Sequence, residues 1–310
     1  MSDNVRLPSL STFPRLLMHH AQVRPNHPAT REKDMGIWQT WNWSQVAEEV
    51  RAMASGLAEL GFKRGDNLAI IGDNRPRLYW AMYVAQCLGG VPVPLYQDAV
   101  AAEMVFVLQD AGIKFAIVED QEQVDKLLEN RAQCPELAHI LYDDPRGLRH
   151  YNQPFLHGLD EVQEMGRIHN RNHPEFIDGE IALGQPEDVG VMLYTSGTTG
   201  KPKGVCLTHG AFIAAAQSGC EFDKLGPDDN ILSYLPMAWV GDHLFSFAQA
   251  TYAGFTINCP ESGDTVMTDM REIGPSYYFA PPRVFENLLT QVMIRMEDAS
   301  ALKRGMFHYF

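Results

Sequence analysis

The stretch that most constrains this chain is Tyr194-Thr195-Ser196-Gly197-Thr198-Thr199-Gly200-Lys201-Pro202-Lys203-Gly204, which grows directly out of the apolar run 189–194. A short apolar run ended by glycine and hydroxyl residues reads as a strand with a loop at its carboxyl end. In open α/β sheets that edge is where ligands bind. Small residues let an anion approach the backbone N–H groups, and two lysines add positive charge at the loop's end. That is the chemistry of a polyphosphate cradle. Pro202 cannot continue a helix through Lys201, so the loop is expected to return as a hairpin-like arm. A Walker A loop is excluded, because Pro202 and not glycine stands five residues after Gly197, and G-x-G-x-x-G is absent too.

Strand-like and helix-like patterns alternate around this loop. Helices are expected over 13–23, from Ser44 to a stop at Gly61, and over 76–88, 99–110 and 121–130. Strands are expected over 67–71, 91–95, 115–118 and 139–142, with an extended piece at Trp38 and Trp41. Residues 143–188 are rich in Asp, Asn, Pro and His, with one short helix near 159–167. A second alternating run follows: strands 189–194, 205–208, 231–234, 255–258 and 276–279, and helices 210–221 and 241–252. The expected fold class is α/β, two mostly parallel sheets with flanking helices, divided into subdomains 1–188 and 189–310.

The chain has 310 residues, 45% of them hydrophobic, enough to bury a sizeable core. Its net charge of −14 is the wrong sign for a general nucleic-acid binder, so a phosphate ligand needs a dedicated site. Five scattered cysteines without a C-x-x-C pair argue against a disulfide scaffold. An N-terminus without an apolar signal core leads to the expectation of a cytoplasmic protein. Residues 282–310 carry Val284, Phe285, Leu288, Leu289, Val292 and Met296 at helical spacing and end on Met306, Phe307, Tyr309 and Phe310. An apolar end of this kind suggests that part of the fold lies beyond it.

Other constellations have blander readings. His169 and His173 are i, i+4, but Asn170, Asn172 and Pro174 favour a solvated loop over a metal pair. Asp242-His243 lacks a G-x-S-x-G partner. His19-His20 sit in an amphipathic helix, as surface or partly buried residues. Cys206 is expected to be buried and unreactive. Glu119, Asp120, Glu122, Asp125 and Glu129 read as a solvated acidic face.

The motif Y-T-S-G-T-T-G-K-P-K-G resembles the phosphate-binding signature of the adenylate-forming (AMP-binding) superfamily, which includes acyl-CoA synthetases, luciferases and peptide-synthetase adenylation domains. Asp73-Asn74-Arg75-Pro76-Arg77-Leu78-Tyr79-Trp80 and Gly89-Gly90-Val91-Pro92-Val93-Pro94-Leu95-Tyr96 resemble segments of its long-chain fatty acid–CoA ligase branch. So do Leu235-Pro236-Met237-Ala238 and Pro281-Pro282-Arg283-Val284-Phe285-Glu286. The resemblance implies activation of a fatty acid by ATP to an acyl-adenylate, then transfer to coenzyme A, with Mg²⁺ on the phosphates. It implies that Thr195, Ser196, Gly197, Thr198, Thr199, Gly200 and Lys201 bind the phosphates, that Lys203 neutralises the outer ones with Lys201 as the alternative, and that Thr195 assists the metal. Trp239 stands where many members carry histidine near the acyl pocket, and His243 lies one helical turn on. The family's later elements have no counterpart before Phe310, so the chain is expected to be an inactive N-terminal part of a ligase. Transfer to a carrier protein and a non-catalytic nucleotide- or acyl-binding module are the alternatives. The implied partners are fatty acid, ATP and coenzyme A, with peripheral membrane contact left open and oligomeric state unread.

Overall fold

A computed structural model describes residues 10–195 and 202–309. The chain opens with α1 (Phe13–Val23), then the hairpin β1 (Pro28–Asp34) and β2 (Ile37–Asn42), and α2 (Trp43–Glu59). Asn42 caps α2: its side chain accepts the Gln45 amide at 2.9 Å, while Gln45 Oε1 accepts the Asn42 amide at 2.9 Å. Next come β3 (Asn67–Ile71), α3 (Pro76–Cys87), β4 (Val91–Leu95), α4 (Ala101–Asp110), β5 (Ile113–Val118), α5 (Gln121–Glu129), β6 (His139–Tyr142) and β7 (Leu156–Gly158). Pro76 occupies the first turn of α3, where its missing N–H costs nothing.

These strands form a five-stranded parallel sheet in the order β4-β3-β5-β6-β7. The helix α3 lies against β3, β4, α1 and α2, and all its residues except Arg77 are buried, so its sequence is apolar nearly all round. The connector then folds as α6 (Leu159–Asn172) and α7 (Phe176–Leu183). α6 crosses α2 where two glycines meet. A Cβ on Gly166 would lie 1.7 Å from the Ala52 carbonyl oxygen, and one on Gly56 would lie 2.1 Å from that of Val162.

The second run gives β8 (Val189–Thr195), β9 (Lys203–Thr208), α8 (His209–Asp223), β10 (Asn230–Leu232) and β11 (Thr256–Cys259). β8 and β9 pair antiparallel as their own ribbon. β10 and β11 join β1 and β2 in a four-stranded sheet of order β10-β11-β1-β2, in which only the β1–β2 pair is antiparallel. The α/β class with two mostly parallel sheets therefore holds.

This sheet pairs residues 28–42 with residues 230–259, across the division expected at 188. One compact unit runs to Tyr277, and Tyr278–Phe310 forms a second. In that second unit the helices Pro282–Glu297 and Ala301–Tyr309 contain no buried residue.

Three local readings change. The charged sequence of β1 gave no strand signal, yet β1 is central in its sheet; its Lys33, 7% exposed, bonds Asp269 Oδ1 at 2.8 Å and Glu272 Oε2 at 2.7 Å. The strand expected over 276–279 reduces to one parallel bridge, Ile231 to Tyr277, between Pro275 and Pro281, which lack N–H donors. The helix expected over 241–252 is a turn of α-helix, Val240–Asp242, a π-helix, His243–Ala248, and a last α turn, Gln249–Ala253.

Candidate functional site

The segment expected to bind polyphosphate lies between β8 and β9, and at its base Thr195 is paired with Lys203 across the ladder. The antiparallel return is what Pro202 demanded. Ser196, Gly197, Thr198, Thr199, Gly200 and Lys201 lie outside the described residues. Thr195 and Lys203, at the arm's open end, are exposed. The motif's last glycine has a packing reason. Gly204 faces Tyr194 in register, and a Cβ there would sit 3.1 Å from the tyrosine ring. The Tyr194 hydroxyl in turn donates to Asp110 Oδ2 on α4 at 2.7 Å.

The two residues expected near an acyl pocket, Trp239 and His243, separate in character. Trp239 is half-buried at the N-cap of the turn Val240–Asp242, its ring against the backbone of Gly241. His243 is 1% exposed, packed between the rings of Phe212 and Phe247 with centroids 5.1 and 4.9 Å away. Both its ring nitrogens lack hydrogen-bond partners. Burial, with His209 adding to it, pushes its pKa down to about 3, so the ring is neutral.

Beside His243 lies a buried polar cluster. The carboxylate of Asp242 accepts the Tyr79 hydroxyl at 2.7 Å, the Ser233 hydroxyl at 2.8 Å, the Ser246 hydroxyl at 2.9 Å and the Asn74 amide at 3.4 Å. Burial raises its pKa to about 6 against the lowering effect of these donors. Sequence reading treated Asp242 only as a failed half of a triad. Its partners are scattered from 74 to 246, so no local spacing could have gathered them.

A separate cleft of about 610 Å³ opens at the carboxyl ends of β1, β5 and β6. It is lined by Glu32, Arg75, Arg77, Glu119 and Asp143 among others. Its cations are paired: Arg75 with Glu119 at 2.8 Å, and Arg77 with Asp143 at 2.9 Å. Burial raises the Glu32 pKa to about 7.

Several sequence expectations are corrected. Glu119 is no solvated acid but a partly buried partner of Arg75 and of the Asp73 amide. His169 belongs to α6 and pairs with Glu59. Cys206 is exposed on β9, because the ribbon leaves that strand uncovered. His20 is fully enclosed, with Nε2 bonded to the Thr251 carbonyl at 2.7 Å. Among the described residues no group of three or more His, Cys, Asp or Glu gathers as a metal site, and no helix is long and apolar enough to cross a membrane.

A five-stranded parallel sheet, a four-stranded mixed sheet and a β-ribbon, with flanking helices, define an α/β domain. The chain belongs to the AMP-binding enzyme family, whose pattern matches residues 17–307. Among its relatives, the long-chain-fatty-acid–CoA ligase ACSBG1 of Homo sapiens is 26% identical over 87% of this chain and 37% of its own length. ACSBG2 of Xenopus laevis is 27% identical over 98% of this chain and 41% of its own. The chain thus spans about two-fifths of the length of these curated relatives. In fold it is similar to the anthranilate CoA ligase AuaEII bound to anthranoyl-AMP (TM-score 0.74, 20% identity, 87% of this chain and 49% of that one). It is similar also to the o-succinylbenzoate CoA synthetase MenE of Bacillus subtilis with its acyl-adenylate intermediate (TM-score 0.65, 21% identity, 89% and 63%).

Proposed function

We propose that this chain carries the phosphate-binding part of an ATP-dependent ligase that activates a long-chain fatty acid as its acyl-adenylate and passes it to coenzyme A. The observation that carries the reading is the β8–β9 arm, with Thr195 opposite Lys203 at the base of a loop of glycines and hydroxyls. The named relatives support the acyl and thiol halves.

Attack of a carboxylate on the α-phosphorus of ATP needs no protein nucleophile. It needs in-line positioning and stabilisation of the charge growing on pyrophosphate. The loop from Ser196 to Gly200 supplies backbone donors, and Lys203 sets one positive charge at its exit. A Mg²⁺ ion, if bound, would neutralise phosphate charge, and the Thr195 hydroxyl is the group of this chain that would help hold it.

Calorimetry of the 310-residue chain with ATP, beside Lys203→Ala, tests the phosphate assignment. Binding by the parent and a clear weakening in the variant are expected. Unchanged binding in the variant sinks the role given to Lys203. In a complete ligase the same change is expected to slow pyrophosphate exchange by about 10²–10³, the effect of losing one strong transition-state donor. Product formation that needs a carrier protein instead of coenzyme A identifies the other acceptor, and ATP binding without exchange marks the isolated chain as a binding module.

A further inference from the structure

We propose that Asp242 is a positioning residue, whose buried carboxylate clasps the segment 233–242 and so fixes where Trp239 stands on the acyl side of the site. The inference rests on the acyl reading above.

A carboxylate removed from water is costly unless several donors replace its hydration. Here the four donors come from four different places: Asn74 in the turn after β3, Tyr79 on α3, Ser233 just past β10, and Ser246 in the π-helix. Each is neutral, and all four are themselves linked. Asn74 Nδ2 lies 2.8 Å from the Tyr79 hydroxyl, and the Ser233 hydroxyl lies 2.9 Å from that of Ser246. A core of similar volume built from apolar residues would serve stability as well. What the polar cluster adds is a unique arrangement of the elements it joins.

The segment it joins is the one that carries Trp239. Ser233 and Asp242 hold its two ends on one carboxylate. Asn74 Nδ2 also donates to the Leu235 carbonyl at 2.9 Å, which pins its first half. The Trp239 amide bonds the Pro236 carbonyl at 2.9 Å, and its own carbonyl accepts the His243 amide at 3.2 Å, so the indole leaves from a backbone fixed on both sides. The π-helix starts immediately after Asp242 and returns Ser246 to its Oδ1; π segments of this kind are frequent at functional sites.

The titratable groups facing Asp242 are Tyr79 from α3 and Cys259 from β11, both pushed up by burial, with His243 adjacent on its own helix and pushed down. The turn after β3, β10 and the π-helix present the neutral side chains of Asn74, Ser233 and Ser246. Asp242 is therefore the member of the clasp that changes charge in mildly acidic solution.

The test uses the 310-residue chain, the fluorescent fatty acid cis-parinaric acid and, separately, ATP. Asp242→Asn is expected to weaken cis-parinaric acid binding about tenfold or more, as for lost hydrogen bonds to a charged group, while ATP affinity stays within about twofold. Between about pH 7 and about pH 5 the parent's acyl affinity falls more steeply than the variant's, and the difference isolates Asp242 from titration of the probe's own carboxyl group. Tyr79→Phe removes one donor and keeps the ring, and shifts acyl affinity in the same direction by less. It decides the matter if Asp242→Asn does not fold. Equal acyl affinity and equal pH profiles in parent and variants overturn the proposal, as does parallel loss of both ligands, the mark of a purely structural residue. If the parent binds no cis-parinaric acid at any pH, the acyl reading itself fails and the clasp loses its purpose.

Discussion

Tyr194 donates its hydroxyl to Asp110 at 2.7 Å, tying β8, the strand before the proposed phosphate loop, to the end of α4. Burial and the nearby carboxylate both raise the phenol's pKa, so the donor keeps its proton. Among the described residues the ribbon β8–β9 shares no ladder with either sheet, so its buried Val191 and Leu193 and side-chain ties such as this one hold its orientation.

Tyr194→Phe is therefore expected to loosen the arm while sparing the fold. The bond is partly exposed, and its loss should cost about 0.5–1.5 kcal/mol. Hydrogen exchange should quicken at the amides of β8 and β9 and stay unchanged in β3 and β5. Uniform protection across all four strands would show that the tie is dispensable.

Gly166→Ala tests the crossing of α2 and α6. The new methyl would meet the Ala52 carbonyl oxygen, which belongs to a helix backbone and cannot rotate away. Overpacking typically costs about 1–3 kcal/mol, and backbone contact places this site at or above the upper end. Thermal denaturation should show a marked loss in melting temperature. Gly179→Ala, inside α7 where a Cβ meets nothing within 4 Å, is the control and should melt no lower than the parent.

His243→Phe is expected to stabilise the protein, increasingly so in acid. Two unpartnered ring nitrogens disappear from a fully enclosed site, and each such group costs about 1–3 kcal/mol. The pH sign follows from the folded-state pKa of about 3 against the ordinary 6.5. The histidine's contribution is fully present above about 6.5 and is lost as pH falls toward 3, because the unfolded chain takes the proton first. At pH 5 the variant should have gained about 2 kcal/mol relative to pH 7, since each pH unit is worth about 1.4 kcal/mol. His20 and His209, both near 4, slope the same way, whereas Glu32 near 7 and Asp242 near 6 slope oppositely. The difference between variant and parent isolates His243 from these, and urea denaturation at both pH values measures it. A variant less stable than the parent at pH 5 refutes the assignment.

Much of the fold was readable because its determinants are local. Asn67–Ile71 and Val91–Leu95 are apolar runs closed by turn residues, Pro76 begins its helix, and Pro202 turns the loop back. The β1 strand was not readable, since Lys33 and Glu32 deny it any apolar pattern and its place is set by β11, more than two hundred residues away. The π-helix at His243 likewise leaves no periodic signature long enough to detect.

The sequence by itself determined the class of the protein: an α/β chain, from local strand and turn patterns, whose eleven-residue motif resembles the adenylate-forming signature. Only the tertiary structure decided that residues 28–42 and 230–259 share a sheet, that His243 is sealed among aromatic rings, and that Asp242 gathers donors from Asn74 to Ser246. The physical reason is range. Turns, caps and strand patterns are fixed by neighbours along the chain. The ionisation of a buried carboxylate or imidazole depends on which distant groups replace the water it has lost.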